Sequence, residues 1–221
     1  MTTISGAAVV APGGVTMQML IDQVQIDLGD VAETTWSEMD LLQWLNDAIR
    51  DYSLRWPRTR RVTIAAVSGV HIYDLPDDFL CMVSVAYPGG GERPLYLGQR
   101  CYMDAEFWQV DDFYDVVWRH DQDAADELWI GATPEGGESL TVEYLAYHPH
   151  NLAAGDNCSV PVEHHHLLRT YAAWRALLWV MILEQQDPTD GSHLLLGQFA
   201  DNVNEMRMTY LEMVGSAGQR E

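Results

Sequence analysis

A chain of 221 residues that is 48% hydrophobic holds enough apolar material for one large domain or two small ones. Its 33 acidic residues stand against 12 basic ones, every one of them arginine, and the formal net charge is −21. That balance argues against a protein whose task is to grip nucleic-acid phosphates, and fits a solubilising surface or one that lets DNA pass without holding it. Three widely spaced cysteines, Cys81, Cys101 and Cys158, make neither a disulfide framework nor a zinc knuckle. No basic n-region opens the chain, and the longest apolar run, residues 171–183, is interrupted by Arg175 and is shorter than a membrane span, so a soluble chain is expected.

Residues 1–14 are small and glycine- and alanine-rich, and read as a flexible N-terminal arm. A first helix is expected over 16–28, where Met17, Leu20, Ile21, Val24 and Leu28 recur at helical spacing before Gly29. A second is expected over 37–55. Ser37 is its N-cap, Asp40 closes an acidic variant of the capping box, and Trp36 with Leu41 is placed as a hydrophobic staple. Leu41, Leu42, Leu45, Ile49 and Tyr52 form its apolar stripe, and Pro57 ends it.

From about residue 61 to 147 the period changes to two. Val62–Ile64–Ala66, Val70–Ile72, Cys81–Val83–Val85–Tyr87, Val116–Trp118, Leu128–Ile130 and Leu140–Val142–Tyr144 alternate between turn signals. A small antiparallel sandwich or barrel is expected, with a hairpin-like link at residues 133–137 and a short helix over 99–110. Helical period returns after Pro161, giving helices over 162–186 and 190–214. Residues 177–183 are apolar all round, which places that helix at the centre, covered on several sides. The fold class expected is α+β. Four helices, two from each end of the chain, would form a bundle from residues 15–60 and 159–214. An antiparallel β-rich subdomain would be inserted at 61–158, and a polar tail would occupy 215–221.

Three features in this order resemble the head-to-tail adaptor, or connector, family of tailed viruses. The first is TWSEMDLLQWLNDAIRDYSLRWP at residues 35–57, a capped helix with a Leu41-x-x-Trp44-Leu45-Asn46 core closing on Trp56-Pro57. The second is Leu75-Pro76-Asp77-Asp78-Phe79 leading into a strand. The third is Val160-Pro161 before a His/Leu/Tyr/Ala-rich helix, then Asp187-Pro188 and a last helix. The resemblance implies a structural protein of the virion neck, not an enzyme. It would be assembled in the host cytoplasm as a homo-oligomeric ring, usually of twelve subunits. Its partners would be the portal protein above and a tail or further neck protein below, with DNA passing through unbound. No cofactor, metal or membrane is expected. The alternatives are a tail-completion or terminator ring and, further off, a metal-dependent hydrolase.

Candidate chemistry is sparse. His164-His165-His166, with His148, His150 and Cys158 near in sequence, invites a metal, but neighbours on a helix point about 100° apart and cannot converge on one ion. The acidic residues between Asp104 and Glu127 lack the glycine and alternation of a calcium loop, and read as a solvated or lumen-facing surface. Neither Gly89-Gly90-Gly91 nor Gly13-Gly14 has the Lys-Ser/Thr of a phosphate loop, and no serine sits in a Gly-x-Ser-x-Gly elbow. The basic cluster Arg55, Arg58, Arg60 and Arg61 beside Trp56 uses the vocabulary of protein interfaces. In so acidic a chain it is expected to meet a neighbour's carboxylates. The end of the chain, with Gly215 and Arg220, is expected to be unstructured alone and to order against the portal.

Overall fold

A computed structural model describes residues 14–32, 35–87, 95–109, 112–119, 125–131, 137–186 and 193–217. The chain divides into two compact units, one made of Met1–Arg55 with His148–Glu221, the other of Trp56–Tyr147.

The helical unit contains α1 (Met17–Leu28), α2 (Glu38–Arg55), α3 (His165–Gln186, entered through a 3-10 turn at Val162–His164) and α4 (His193–Ala217). Local chemistry sets the ends. Thr16 Oγ1 accepts from Met19 N at the start of α1, and Gly29, at φ 70°, closes it with its N–H on the carbonyls of Gln25 and Ile26. Ser37 and Asp40 form a reciprocal box: Asp40 N donates to Ser37 Oγ at 3.2 Å and Ser37 N to the Asp40 carboxylate at 3.2 Å. Trp36 and Leu41, the staple pair, are both buried. Asp30 fixes the approach, since one carboxylate oxygen accepts from Thr35 N and Trp36 N at 2.9 and 3.0 Å.

The expected four-helix bundle with an inserted antiparallel subdomain does not form. A bundle closes only if each helix has two flanking partners. Here α3 is a hub that packs on α1, α2 and α4, while α4 packs chiefly on α3 and reaches α2 through the Tyr210 hydroxyl, which donates to Asp51. An all-round apolar helix favours this hub, because it accepts neighbours on several sides. Coverage still falls short of the expectation: in the last turns of α3, Trp179, Ile182 and Leu183 are exposed. The other half of the expectation changes too: residues 56–147 make two four-stranded sheets, and one pairing, Gly98–Gln99 with Phe113–Tyr114, is parallel, so the strands are not all antiparallel.

That unit holds β1 (Arg58–Ala65), β2 (Ile72–Asp74), β3 (Phe79–Tyr87), β4 (Leu95–Tyr96), β5 (Gly98–Gln99), β6 (Phe113–Val117), β7 (Glu127–Ile130) and β8 (Ser139–Ala146). They make two four-stranded sheets, ordered β1-β8-β3-β4 and β2-β7-β6-β5, and the β5–β6 pair is parallel. Residues of both sheets, among them Tyr73, Val85, Tyr114, Leu128, Val142 and Tyr144, share one core. The alternation of apolar residues is what makes this possible: in β8, Leu140, Val142, Tyr144 and Ala146 point inward. Two local expectations change. β7 and β8 belong to different sheets and do not pair with each other as a hairpin would, and residues 132–136 of the expected link lie outside the described residues. The stretch after β5 is a series of tight turns, with bonds from Asp104 N to Cys101 O, Phe107 N to Asp104 O and Gln109 N to Glu106 O, not a helix.

Candidate assembly surface

The basic cluster is contiguous in sequence and divided in space. Arg55 ends α2 in the helical unit, 3.6 Å from Asp51 one turn back. Trp56 is half-buried, and Gly215 lies exposed near the end of α4. Arg58, Arg60 and Arg61 all lie on β1, where the pleat sends Arg58 and Arg60 to one face and Arg61 to the other. Arg60 meets the Asp78 carboxylate at 2.5 Å and Arg58 reaches it at 3.6 Å. The Tyr144 hydroxyl donates to the same carboxylate at 2.9 Å, and Tyr147 N donates to the Asp78 carbonyl at 2.9 Å. Asp78, from the Leu-Pro-Asp-Asp corner, therefore ties β1 and β8 to the start of β3. Burial lowers the Arg58 pKa, whereas the Asp78 hydrogen bond raises that of Arg60. Burial, helped by Asp78, pushes the Tyr144 hydroxyl from 10.0 up to about 12. On the opposite face Arg61 stands 3.9 Å from Glu143, its cross-strand neighbour, whose carboxylate also accepts from Ser84 Oγ at 3.4 Å.

The helix end differs from its expectation. α4 continues to Ala217, so Gly215 is helical, and Arg220 and the rest of the tail lie outside the described residues, as do residues 1–13 of the arm. The histidines diverge, each held by a separate partner. Tyr52 Oη lies 2.6 Å from His164 Nδ1, His165 Nε2 lies 2.9 Å from Val160 O, and His166 Nδ1 lies 2.7 Å from Glu163 O. Among the described residues no three His, Cys, Asp or Glu side chains gather as a metal site, and no helix is long and apolar enough to cross a membrane.

Two features escaped the sequence reading. Asn46, inside the Trp-Leu-Asn core of α2, copies a backbone strand: its Oδ1 accepts from Leu152 N at 2.9 Å and its Nδ2 donates to Leu152 O at 3.1 Å. The loop so pinned caps α1, because Asp156 O and Ala154 O accept from Met17 N and Gln18 N. The second feature is the turn at 101–109, which buries Phe107 completely and leaves Met103 and Trp108 exposed at 76% and 47%. Only the density of tryptophan and methionine among carboxylates in residues 103–108 hinted at it.

A search of curated proteins finds none that matches this chain. A family model does match, that of the SU10 adaptor protein, over residues 15–220. That range takes in both compact units, including the capped helix α2, the Leu-Pro corner that delivers Asp78 and the helices that follow Pro161. The chain belongs to the SU10 adaptor protein family, a family of phage head-to-tail adaptors.

Proposed function

We propose that this chain is a structural subunit of the virion neck, assembling as a homo-oligomeric ring, of twelve copies by the family resemblance, between the portal and a tail or further neck protein. The observation that carries the reading is the family match across residues 15–220. Physical features support it. At −21, the chain repels phosphate and leaves a passing duplex mobile, where a basic lumen would hold it by counterion release. Exposed Trp179, Ile182 and Leu183 at the end of α3 are an apolar surface of the kind that assembly covers. In the ring, residues of the cluster Arg55, Trp56, Arg58, Arg60 and Arg61 meet carboxylates of neighbouring copies, and the chain end, with Gly215 and Arg220, enters the portal. Many weak tails on one ring bind with high effective concentration. The protein works by geometry and performs no catalysis.

The test uses virus particles that contain the portal. Removing residues 218–221, which lie beyond α4, is expected to lower the amount of this protein retained on them. Unchanged retention removes the tail from docking and moves that role to residues 1–13. An image of the neck without a ring of this chain refutes the proposal itself.

A further inference from the structure

The sheet unit carries two unlike surfaces. One is the open edge of β1, eight residues long, with β8 on its other side. Ala66 N donates to Glu138 O at 2.9 Å, and antiparallel alternation then turns the backbone groups of Arg58, Arg60, Val62 and Ile64 toward β8. Those of Thr59, Arg61, Thr63 and Ala65 face outward, where no described strand pairs with them. An edge of this length, without a proline or bulge, is a template for another chain. The Arg61 and Arg60 side chains on it are 67% and 50% exposed, and the contact from Arg61 to Glu143 is long at 3.9 Å.

The other surface is the turn at 101–109. Trp108 is fixed there by its Nε1–H on Tyr102 O at 3.0 Å and by edge contacts to the rings of Phe107 and Trp129, at 4.8 and 5.9 Å. A large aromatic held in place loses little entropy on binding, as interface anchors require. Asp104 and Glu106 flank it and share a single guanidinium, Arg100, at 3.1 and 2.6 Å, and exposed Asp112 adds charge, so the patch stays net anionic.

We infer that the open edge of β1 in one copy, through Arg60 and Arg61, seats against the Met103–Trp108 turn of the next copy. The inference rests on the ring proposed above and names its contact. Charge complementarity selects a second copy as the occupant. A chain with 12 arginines and 33 acidic residues presents few cationic edges, and here one lies in the same unit as an anionic aromatic patch. Because the two patches differ, the contact is heterologous and runs head to tail. Repeated with closure, it makes a ring; without closure, it makes a filament.

The experiment measures the mass of the full-length protein by sedimentation and native mass spectrometry over a concentration series, for the wild type, Arg61→Glu, Glu106→Arg and the double variant. Circular dichroism melts confirm that each is folded. The wild type is expected to form a ring that weakens as salt rises from about 0.05 to about 1 M. Each single reversal is expected to weaken association by about tenfold or more, and the double variant to recover most of that loss. Trp108→Ala, which carries no charge change, is expected to weaken association at every salt concentration. Single variants that assemble like the wild type overturn the contact and leave the ring standing. So does a double variant no better than the singles, which would assign the two patches to other virion proteins. A wild type that stays monomeric at every concentration overturns the contact and counts against a ring that forms unaided.

Discussion

The Asn46 side chain does at one residue what a strand does over several. It offers a donor and an acceptor to Leu152 and so holds the loop that caps α1. Asn46→Ala leaves both Leu152 groups unpaired in a half-buried site, and is expected to cost about 1–3 kcal/mol in urea denaturation. It should also accelerate hydrogen exchange at the amides of Leu152, Met17 and Gln18. Ser37→Ala is expected to cost ~1 kcal/mol by the same assay, because Asp40 N loses its acceptor. Tyr144 sets a pH dependence. Its folded pKa, about 12, lies above the 10.0 of an ordinary tyrosine. Below pH 10 the hydroxyl keeps its proton in both states and the full stability is present. As pH rises from 10.0 toward about 12, the unfolded chain releases the proton first, so stability falls and then levels off. Tyr144→Phe is expected to reduce that alkaline loss, read by thermal melts across the same pH range. Tyr114, Tyr171 and Tyr210 are also shifted upward by burial and add to the alkaline loss.

At the scale of elements, the Gly29 stop of α1 and the Ser37–Asp40 box of α2 are set within four residues of chain, whereas the first amides of α1 are taken by the distant 154–156 loop. Gly29 is the sharpest case. It closes α1 in the left-handed region at φ 70°, and a Cβ placed there would meet nothing within 4 Å. Gly29→Ala is therefore expected to cost about 1–2 kcal/mol, all of it backbone strain, with no change in packing. A calorimetric melt checks the size. An unchanged spectrum of the aromatic side chains checks that the core is intact. α1 is further tied to α3 by Arg169, whose guanidinium lies 2.6–2.9 Å from both Asp27 carboxylate oxygens. The β-strands follow a different logic. β1 and β8 pair along their full length, yet they are separated by some seventy residues of chain, and nothing local specifies that pairing.

For the whole molecule the dominant quantity is charge. A chain at −21 that belongs to a phage adaptor family is expected to bind duplex DNA no more tightly than about 10⁻⁴ M at ~0.15 M salt. Fluorescence anisotropy with a labelled duplex measures this, and submicromolar binding would contradict the proposed passage of DNA through an unreactive channel. Arginines are few, and β1 gathers three of the 12, Arg58, Arg60 and Arg61, within four residues. The same scarcity makes reversal of a single arginine informative, because few others can substitute for it.

The sequence by itself determined the four long helices near the two ends of the chain, the Ser37–Asp40 box, the Gly29 stop and the switch of period that separates helices from strands. All of these rest on interactions between residues four or fewer apart, and the chain order of three such motifs was enough to resemble the right family. Tertiary structure decided the rest. It placed β7 and β8 in different sheets, made α3 a hub in place of a closed bundle, gave Leu152 to Asn46 and gathered Arg58, Arg60 and Tyr144 on Asp78. The divided arginine cluster lay at the border between the two. Its separation onto two faces follows from strand period, but four polar residues, Arg58-Thr59-Arg60-Arg61, hid the start of β1 from a reading based on apolar alternation. Partners distant in sequence are chosen by which apolar faces can be buried together. That choice depends on the whole set of elements at once, so no single segment carries it.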